Sequence, residues 1–266
     1  MGDHVSANGA ACTTDEVDAV GSTERDPVTS RRWIIAIDGP AGGGKSTVGE
    51  QVARQLDALY FDSGIVYRAL TVACLDAGLN PDDGVALGDL ARRATVQVLP
   101  PSVDDGRQND VLLNGVDITP LLRTAEVGQN VSRVSVHPPV RDAMLALQRN
   151  VGRSGRVVMV GRDIGTRIFP DADLKVYLDA STEARIARRA LQLEEAGSPQ
   201  PIEQVRAEVQ ARDRTDSTRA TAPLRAADDA VVLDTTNLSI TEVIAHICHL
   251  AETHGLLAHA EPLAHA

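Results

Sequence analysis

From Gly39 to Ser46 the chain reads G-P-A-G-G-G-K-S, the spacing G-x-x-x-x-G-K-S, followed by Thr47. Residues of these types in this order can do one thing well, which is to hold a chain of phosphates. Gly39, Ala41, Gly42, Gly43 and Gly44 offer backbone N–H groups that can turn inward around an anion, and Pro40, which has no N–H, completes the loop. Lys45 can reach the β and γ oxygens of a nucleoside triphosphate, Ser46 can ligate Mg²⁺, and a helix opening at this point adds its positive end. The lysine is informative in itself, because Lys45 and Lys175 are the only lysines among 26 basic residues. The dinucleotide fingerprint G-x-G-x-x-G is not matched, since Gly42 and Gly44 are followed by Thr47 where the third glycine would stand.

The arginines fall into further candidate groups. "DSGIVYRAL" places Ser63 near a helix start and Arg68 about a turn and a half later. "GRDIGT" puts Arg162 and Asp163 just after an apolar run, at the end of a strand where open parallel sheets hold ligands. In "TEARIARRALQL", Arg185, Arg188 and Arg189 are spaced i, i+3, i+4 and are expected to form one cationic face. In "RDRTDSTRATAPL", Arg212, Asp216 and Arg219 are spaced i, i+4, i+7, again one face if the helix continues through all three. Beside a triphosphate loop, these groups imply several anions bound side by side, as a reaction between two phosphorylated molecules requires. Such an acceptor attacks through an oxygen that is already anionic, so no dedicated general base is needed.

These side chains need a frame. "WIIAID" (33–38) is a short apolar run suited to a strand buried on both faces, and "STVGEQVARQL" repeats apolar residues every fourth position, as a helix face does. "ALYFDSG", "VVMVG", "LKVYLDA" and "AVVLDTT" supply four more strands, and a helix from Ile65 ends at Gly78. Five strands alternating with helices predict a doubly wound α/β domain with a parallel sheet. Residues 94–122 interrupt it with short β-like runs and an Asn114-Gly115 turn, which predicts an inserted antiparallel subdomain. "EEAGSPQP" (194–201) reads as a short flexible loop between two arginine-bearing helices, a mobile cover over the site.

Composition narrows the classes. The net charge of -11 falls partly in the first thirty residues, which hold six acids and one arginine, so the rest is only mildly acidic. That balance argues against a nucleic-acid binder, which needs a broad basic face. Cys12, Cys74 and Cys248 are few and scattered, as in a reduced cytoplasm, and no apolar run approaches the roughly eighteen residues of a membrane span. The acidic N-terminal residues 1–30 and the tail 259–266 lack periodicity and read as disordered.

Taken together, "IDGPAGGGKST", "DSGIVYRAL", "GRDIGT…FPDADLKVYLDAS", "ARRALQL", "RDRTDSTRATAPL" and "VLDTTNLSI" resemble bacterial cytidylate kinases in content, order and spacing, over about residues 33 to 254. The resemblance implies a nucleoside-monophosphate kinase domain over 31–258. Its monophosphate-binding insert would lie at about 94–130 and its lid at about 188–202. It implies transfer of a phosphoryl group from ATP, with Mg²⁺, to CMP or dCMP in a monomeric cytoplasmic enzyme. Carried over by position, Ser63 and Arg68 would contact the acceptor, Ser132, Arg141 and Asp163 would read cytosine, and Arg162 and Arg219 would hold the acceptor phosphate. Arg212 with Asp216 would meet the ribose, Arg123 would lie near the acceptor, and Arg188 and Arg189 would close from the lid. A cytosine presents an amino donor beside ring N3 and O2 acceptors, and Asp163, Ser132 and Arg141 offer the complementary mixture.

Rival readings remain at this level. A regulatory GTPase would need an Asn-Lys-x-Asp motif, and no Asn precedes a Lys. A kinase acting on a metabolite hydroxyl would need a carboxylate base near its acceptor, and an ATP-binding regulatory module would keep the pocket without turnover. His246, Cys248 and His249 form a weak candidate metal cluster on one apolar helix, and His137 reads as a tolerant loop residue.

Overall fold

The computed structural model describes residues 32–257, apart from 100, 106, 154 and 196. The two expected loose ends, 1–30 and 259–266, lie outside the described residues.

Five strands, β1 (Trp33–Asp38), β2 (Leu59–Asp62), β6 (Arg156–Gly161), β7 (Leu174–Asp179) and β8 (Val231–Asp234), form one sheet in the order β2-β6-β1-β7-β8. Every neighbouring pair is parallel. The period of two along the central strands explains their unbroken apolar sequences. Ile35 and Ile37 of β1, with Val158 and Val160 of β6, face α1 (Lys45–Gln55) and α8 (Ile240–Thr253). Ala36, Val157 and Met159 face the opposite layer, which holds α2 (Gly64–Asp76), α3 (Gly84–Arg93), α4 (Ala125–Ser135) and α5 (Pro138–Gly152). A strand covered on both faces has no polar side, hence "IIAI" and "VVMV" rather than alternation.

The antiparallel insertion is present as β3 (Val96–Leu99), β4 (Asp110–Leu113) and β5 (Val116–Asp117). Asn114 and Gly115 join β4 to β5 with φ values of 51° and 83°, the left-handed pair that a two-residue hairpin favours. Arg107 ties the strands' loop together, its guanidinium 2.7 Å from Asp105, 3.1 Å from Asp110 and 3.6 Å from Asp117. The remaining helices, α6 (Thr182–Glu195) and α7 (Ile202–Thr218), pack on each other through Ile186, Leu193, Val205 and Val209.

Two expectations change. Helix α7 ends at Thr218, so Arg219 is its extended C-terminal cap (φ -62°, ψ 141°) and does not lie on a continuous helical face with Arg212 and Asp216. His137 lies in the loop before α5 as expected but is not free there: its Nε2 lies 2.9 Å from the Pro81 carbonyl, and its ring fills the space beside Gly84, so it is not expected to tolerate substitution freely.

The first helix lies close against the sheet at Gly49. A methyl group there would run into Val160 Cγ1 and stand 3.3 Å from Tyr60 Cε2. Gly49→Ala is therefore expected to destabilise the fold by about 1–3 kcal/mol despite alanine's better helix propensity. Denaturant unfolding of the two proteins checks this, and a stabilised variant would show that the helix rides higher on the sheet.

Candidate active site

The glycine loop and the Arg162–Asp163 pair leave the C-terminal ends of the parallel strands β1 and β6. The loop 39–44 leaves β1 and enters α1. Gly42 (φ 74°) and Gly44 (φ 81°) hold left-handed conformations, and a Cβ on Gly42 would stand 2.8 Å from the Arg185 carbonyl oxygen. Gly44 caps α1 with no side chain to accept from the first-turn amides, which leaves that helix end open to an anion. Lys45 is buried, and its ammonium donates to the Pro40 carbonyl at 2.6 Å, folded over its own loop. Burial, then Arg162 and Arg212, press its pKa well below the ordinary lysine value, with Asp62 and Asp216 opposing.

Around the loop, positive charge exceeds its partners. Arg68 donates to the Leu122 carbonyl at 2.9 Å, and its pKa is lowered by burial and by Arg123, Arg189 and Arg162, against Asp62. Arg212 is pushed down to about 10 by burial, then by Arg162, Arg68 and Arg189, against Asp216. Arg123 itself is exposed. The charges of Arg162 at the end of β6 and Arg189 on α6 thus help to lower the pKa values of Arg68 and Arg212, and Arg162 that of Lys45, which marks a concentration of positive charge.

Beside this cluster stands a finished buried network. Asp163, 4% exposed, accepts from Arg141 Nη2 at one oxygen and from Arg219 Nη2 at 3.3 Å at the other. Asp216 accepts from Arg162 Nε at 2.9 Å and lies 3.6 Å from Arg219 Nη1. Burial would raise the Asp216 carboxyl, but Arg162, Arg212 and Arg219 outweigh it and hold its pKa below the usual carboxylate value. Arg141 also donates to the Ser135 carbonyl at 3.1 Å and lies 5.3 Å above the Tyr67 ring. Ser132 sits half-buried on α4, one turn before Ser135. Ser63 is buried at the start of α2, its N–H donating to the Val160 carbonyl at 3.0 Å.

The arginines of α6 divide rather than form one face. Arg185 is buried and bonds Ala180 and Ala41 carbonyls (both 3.1 Å) and Asp213 (2.7 Å), tying the α6–α7 pair to the back of the phosphate loop. Arg188 donates to Thr235, through its hydroxyl at 3.1 Å and through its carbonyl. Arg189 is the one whose charge bears on Arg68 and Arg212.

Two carboxylates at strand ends escaped the sequence reading. Asp62 accepts from Ser46 Oγ at 3.2 Å and from the Gly64 N–H at 2.8 Å. Asp38 accepts from the N–H groups of Ile164 and Gly165, each at 2.8 Å. Their positions, last in β2 and β1, were the available signal. His246, Cys248 and His249 are no cluster: Cys248 meets Gln55 at 3.2 Å, His249 faces Glu252 at 3.7 Å, and no group of three or more metal-ligating residues occurs among the described residues.

The family model for cytidylate kinase matches residues 35–253. The chain belongs to the cytidylate kinase family. It is 46% identical to a cytidylate kinase of Shouchella clausii over 226 residues, 85% of this chain and 99% of that protein. It is likewise 45% identical over 227 residues to a bifunctional pantoate ligase/cytidylate kinase of Synechococcus elongatus, covering 85% of this chain and 43% of that protein. Among solved structures, shikimate kinase from Bacteroides thetaiotaomicron is similar at 13% identity and a TM-score of 0.43, covering 83% of this chain and 98% of that one. The segment matched by the cytidylate kinase model begins within β1 and ends at the last residue of α8, so it contains every candidate residue of the site.

The network around Asp163 carries a stability prediction. Asp163→Ala would leave two buried guanidinium groups without their carboxylate, a change expected to cost about 3–5 kcal/mol. Denaturant unfolding measures it, and a loss below about 1 kcal/mol would mean that water reaches Arg141 and Arg219.

Proposed function

We infer that the chain transfers the γ-phosphoryl group of ATP to CMP or dCMP, giving ADP and the cytidine diphosphate. Family membership supports the kinase activity on CMP, and the observation that favours this chemistry is the continuity of the cation cluster with the Asp163 network. Lys45 and the open end of α1 suit one anion, Arg68 and Arg162 suit a second, and Arg162 is itself bonded to Asp216 beside Arg219. Two phosphate groups drawn toward such a cluster are brought together against their own repulsion, which is most of what in-line phosphoryl transfer asks of a protein.

In the reaction an oxygen of the acceptor phosphate attacks the γ-phosphorus, the bond to the β-bridging oxygen breaks, and ADP leaves with the electron pair. Lys45, Arg162 and Arg189 balance the charge that spreads over the transferring group, and residues of about 188–202 act as the lid. Ser46 and Asp62 offer a hydroxyl and a carboxylate oxygen side by side, a donor set that suits a hard divalent cation. Mg²⁺ held there would neutralise charge on the β and γ oxygens. The cytosine amino group would be received at Asp163, and its ring acceptors by Ser132 and Arg141.

A metabolite hydroxyl as acceptor is disfavoured by the state of the carboxylates. Asp38 and Asp62 each accept from two donors, Asp163 is held by two guanidinium groups, and the pKa of Asp216 is lowered. None is placed as a free base.

ADP release is to be followed with ATP, Mg²⁺ and CMP, dCMP, UMP, AMP, GMP or no acceptor. Fast turnover is expected with CMP and dCMP alone, and Lys45→Ala should lower kcat about 100-fold or more, the scale of losing one transition-state donor. Preference for another monophosphate would overturn the cytosine pocket. ATP binding without turnover in any mixture would favour the regulatory module.

A further inference from the structure

Residues 164–168, which follow Arg162 and Asp163 directly, form a single π turn, a rare element that recurs at functional sites. Its buried N–H groups would be costly to leave unpaired, and Asp38 meets them: one carboxylate oxygen takes the Ile164 N–H and the other the Gly165 N–H, both at 2.8 Å. The far end is gripped from α5, where Arg149 donates to the Arg167 and Ile168 carbonyls at 3.1 and 3.0 Å and Asp142 pairs with Arg167. Asp38 is the last residue of the central strand, immediately before Gly39, and is 5% exposed. One side chain therefore joins the root of the triphosphate loop to the root of the segment bearing Arg162 and Asp163.

We propose that Asp38 is a positioning residue that sets the distance and orientation between the two nucleotide sites, by fixing Arg162 and Asp163 to the base of the phosphate loop. The proposal rests on the reading of Arg162 and Asp163 as acceptor contacts. A carboxylate suits this task because it accepts two amides at once on a strand that cannot shift within the sheet. Asparagine in its place has one acceptor oxygen and must turn an NH₂ toward the other amide, so the turn is released at one point while the side-chain volume is kept.

The site also gives Asp38 a pH signature. Burial raises its pKa to about 6, with the Ile164 and Gly165 amides opposing, Asp163 adding to the rise and Lys45 opposing it. From β7, Tyr177 lies across the strand pair from Asp38, and the Lys175 stem lies beside Gly165 with its ammonium on the Pro170 carbonyl and Asp229. Above about pH 6 the ionised carboxylate accepts both amides. Below it, a bound proton removes one acceptor. Because the folded-state pKa exceeds the ordinary aspartate value of 3.8, that proton binds the folded chain more tightly than the unfolded one. Its uptake therefore favours folding while loosening the turn, so a loss of acceptor binding from this cause would not be a loss of fold.

The test compares wild type, Asp38→Asn and Arg162→Ala, measuring kcat, the KM values for CMP and ATP, and equilibrium binding of ADP. Asp38→Asn is expected to raise the CMP KM and lower kcat, each about tenfold, while the ATP KM and ADP affinity stay within about threefold. The ratio of wild-type to Asp38→Asn kcat/KM for CMP should fall as pH drops through about 6, with the titration of the substrate cancelling in the ratio. Kinetic constants for CMP within twofold of wild type, or equal losses for both nucleotides, would overturn the proposal. An unchanged CMP KM in Arg162→Ala would instead overturn the acceptor reading. If Asp38→Asn does not fold, wild type decides: the amide proton resonances of Ile164 and Gly165 should titrate together near pH 6, and resonances that stay fixed between pH 7 and 5 would sink the idea.

Discussion

Positive charge held without enough negative charge beside it is the constraint on which the rest of this molecule depends. Lys45, Arg68 and Arg212 each have a lowered pKa, and in each case burial is the leading cause and neighbouring arginines the next. Left to themselves such side chains would swing out to water. They are kept in place by neutral carbonyls, Pro40 for Lys45 and Leu122 for Arg68, which orient a cation without cancelling its charge. The cations are thereby held in place without being neutralised, and the five-stranded sheet supplies the rigidity that this needs.

The carboxylates are arranged by the complementary rule. Those near the site hold something else in position rather than stand ready to take a proton. Asp163 orients Arg141 and Arg219, Asp216 orients Arg162, Asp62 holds the start of α2, and Asp38 the turn after Asp163. A chemistry that needs charge placement and no proton abstraction is what this division serves. Arg185 belongs to the same scheme, buried and bonded to two backbone carbonyls and Asp213, a guanidinium that joins elements and faces no ligand.

The sheet and the phosphate loop were legible in the sequence because their signals are local: unbroken apolar runs for strands buried on both faces, and glycines whose spacing has one good use. The cation groups were legible as groups, but their division was not. Arg185, Arg188 and Arg189 look alike at helical spacing, and only the elements packed against α6 decide that the first is buried, the second meets Thr235 and the third acts on the cluster. Arg219 was placed on a helix that ends one residue too soon, since nothing in "DSTRAT" forces the break; the chain turns there as Arg219 reaches Asp163 and the Ala222 carbonyl. Helices α3, α4 and α5 drew no notice, and α5 carries three of the grips on the acceptor segment. Asp38 and Asp62 were passed over because a carboxylate at a strand end is unremarkable until its partners, as many as 127 residues away, are known.

The Asp163 network shows how a site can be complete and still ready for a ligand. Both oxygens of Asp163 are already engaged, and Arg141 spends its two terminal nitrogens on Asp163 and on the Ser135 carbonyl. Its Nε, however, is buried and has no partner, an arrangement that costs the unliganded chain about 1–3 kcal/mol. A buried guanidinium N–H without an acceptor is costly, so Arg141 Nε, between the Asp163 pair and the Tyr67 ring, is where one more acceptor would contribute most to this network.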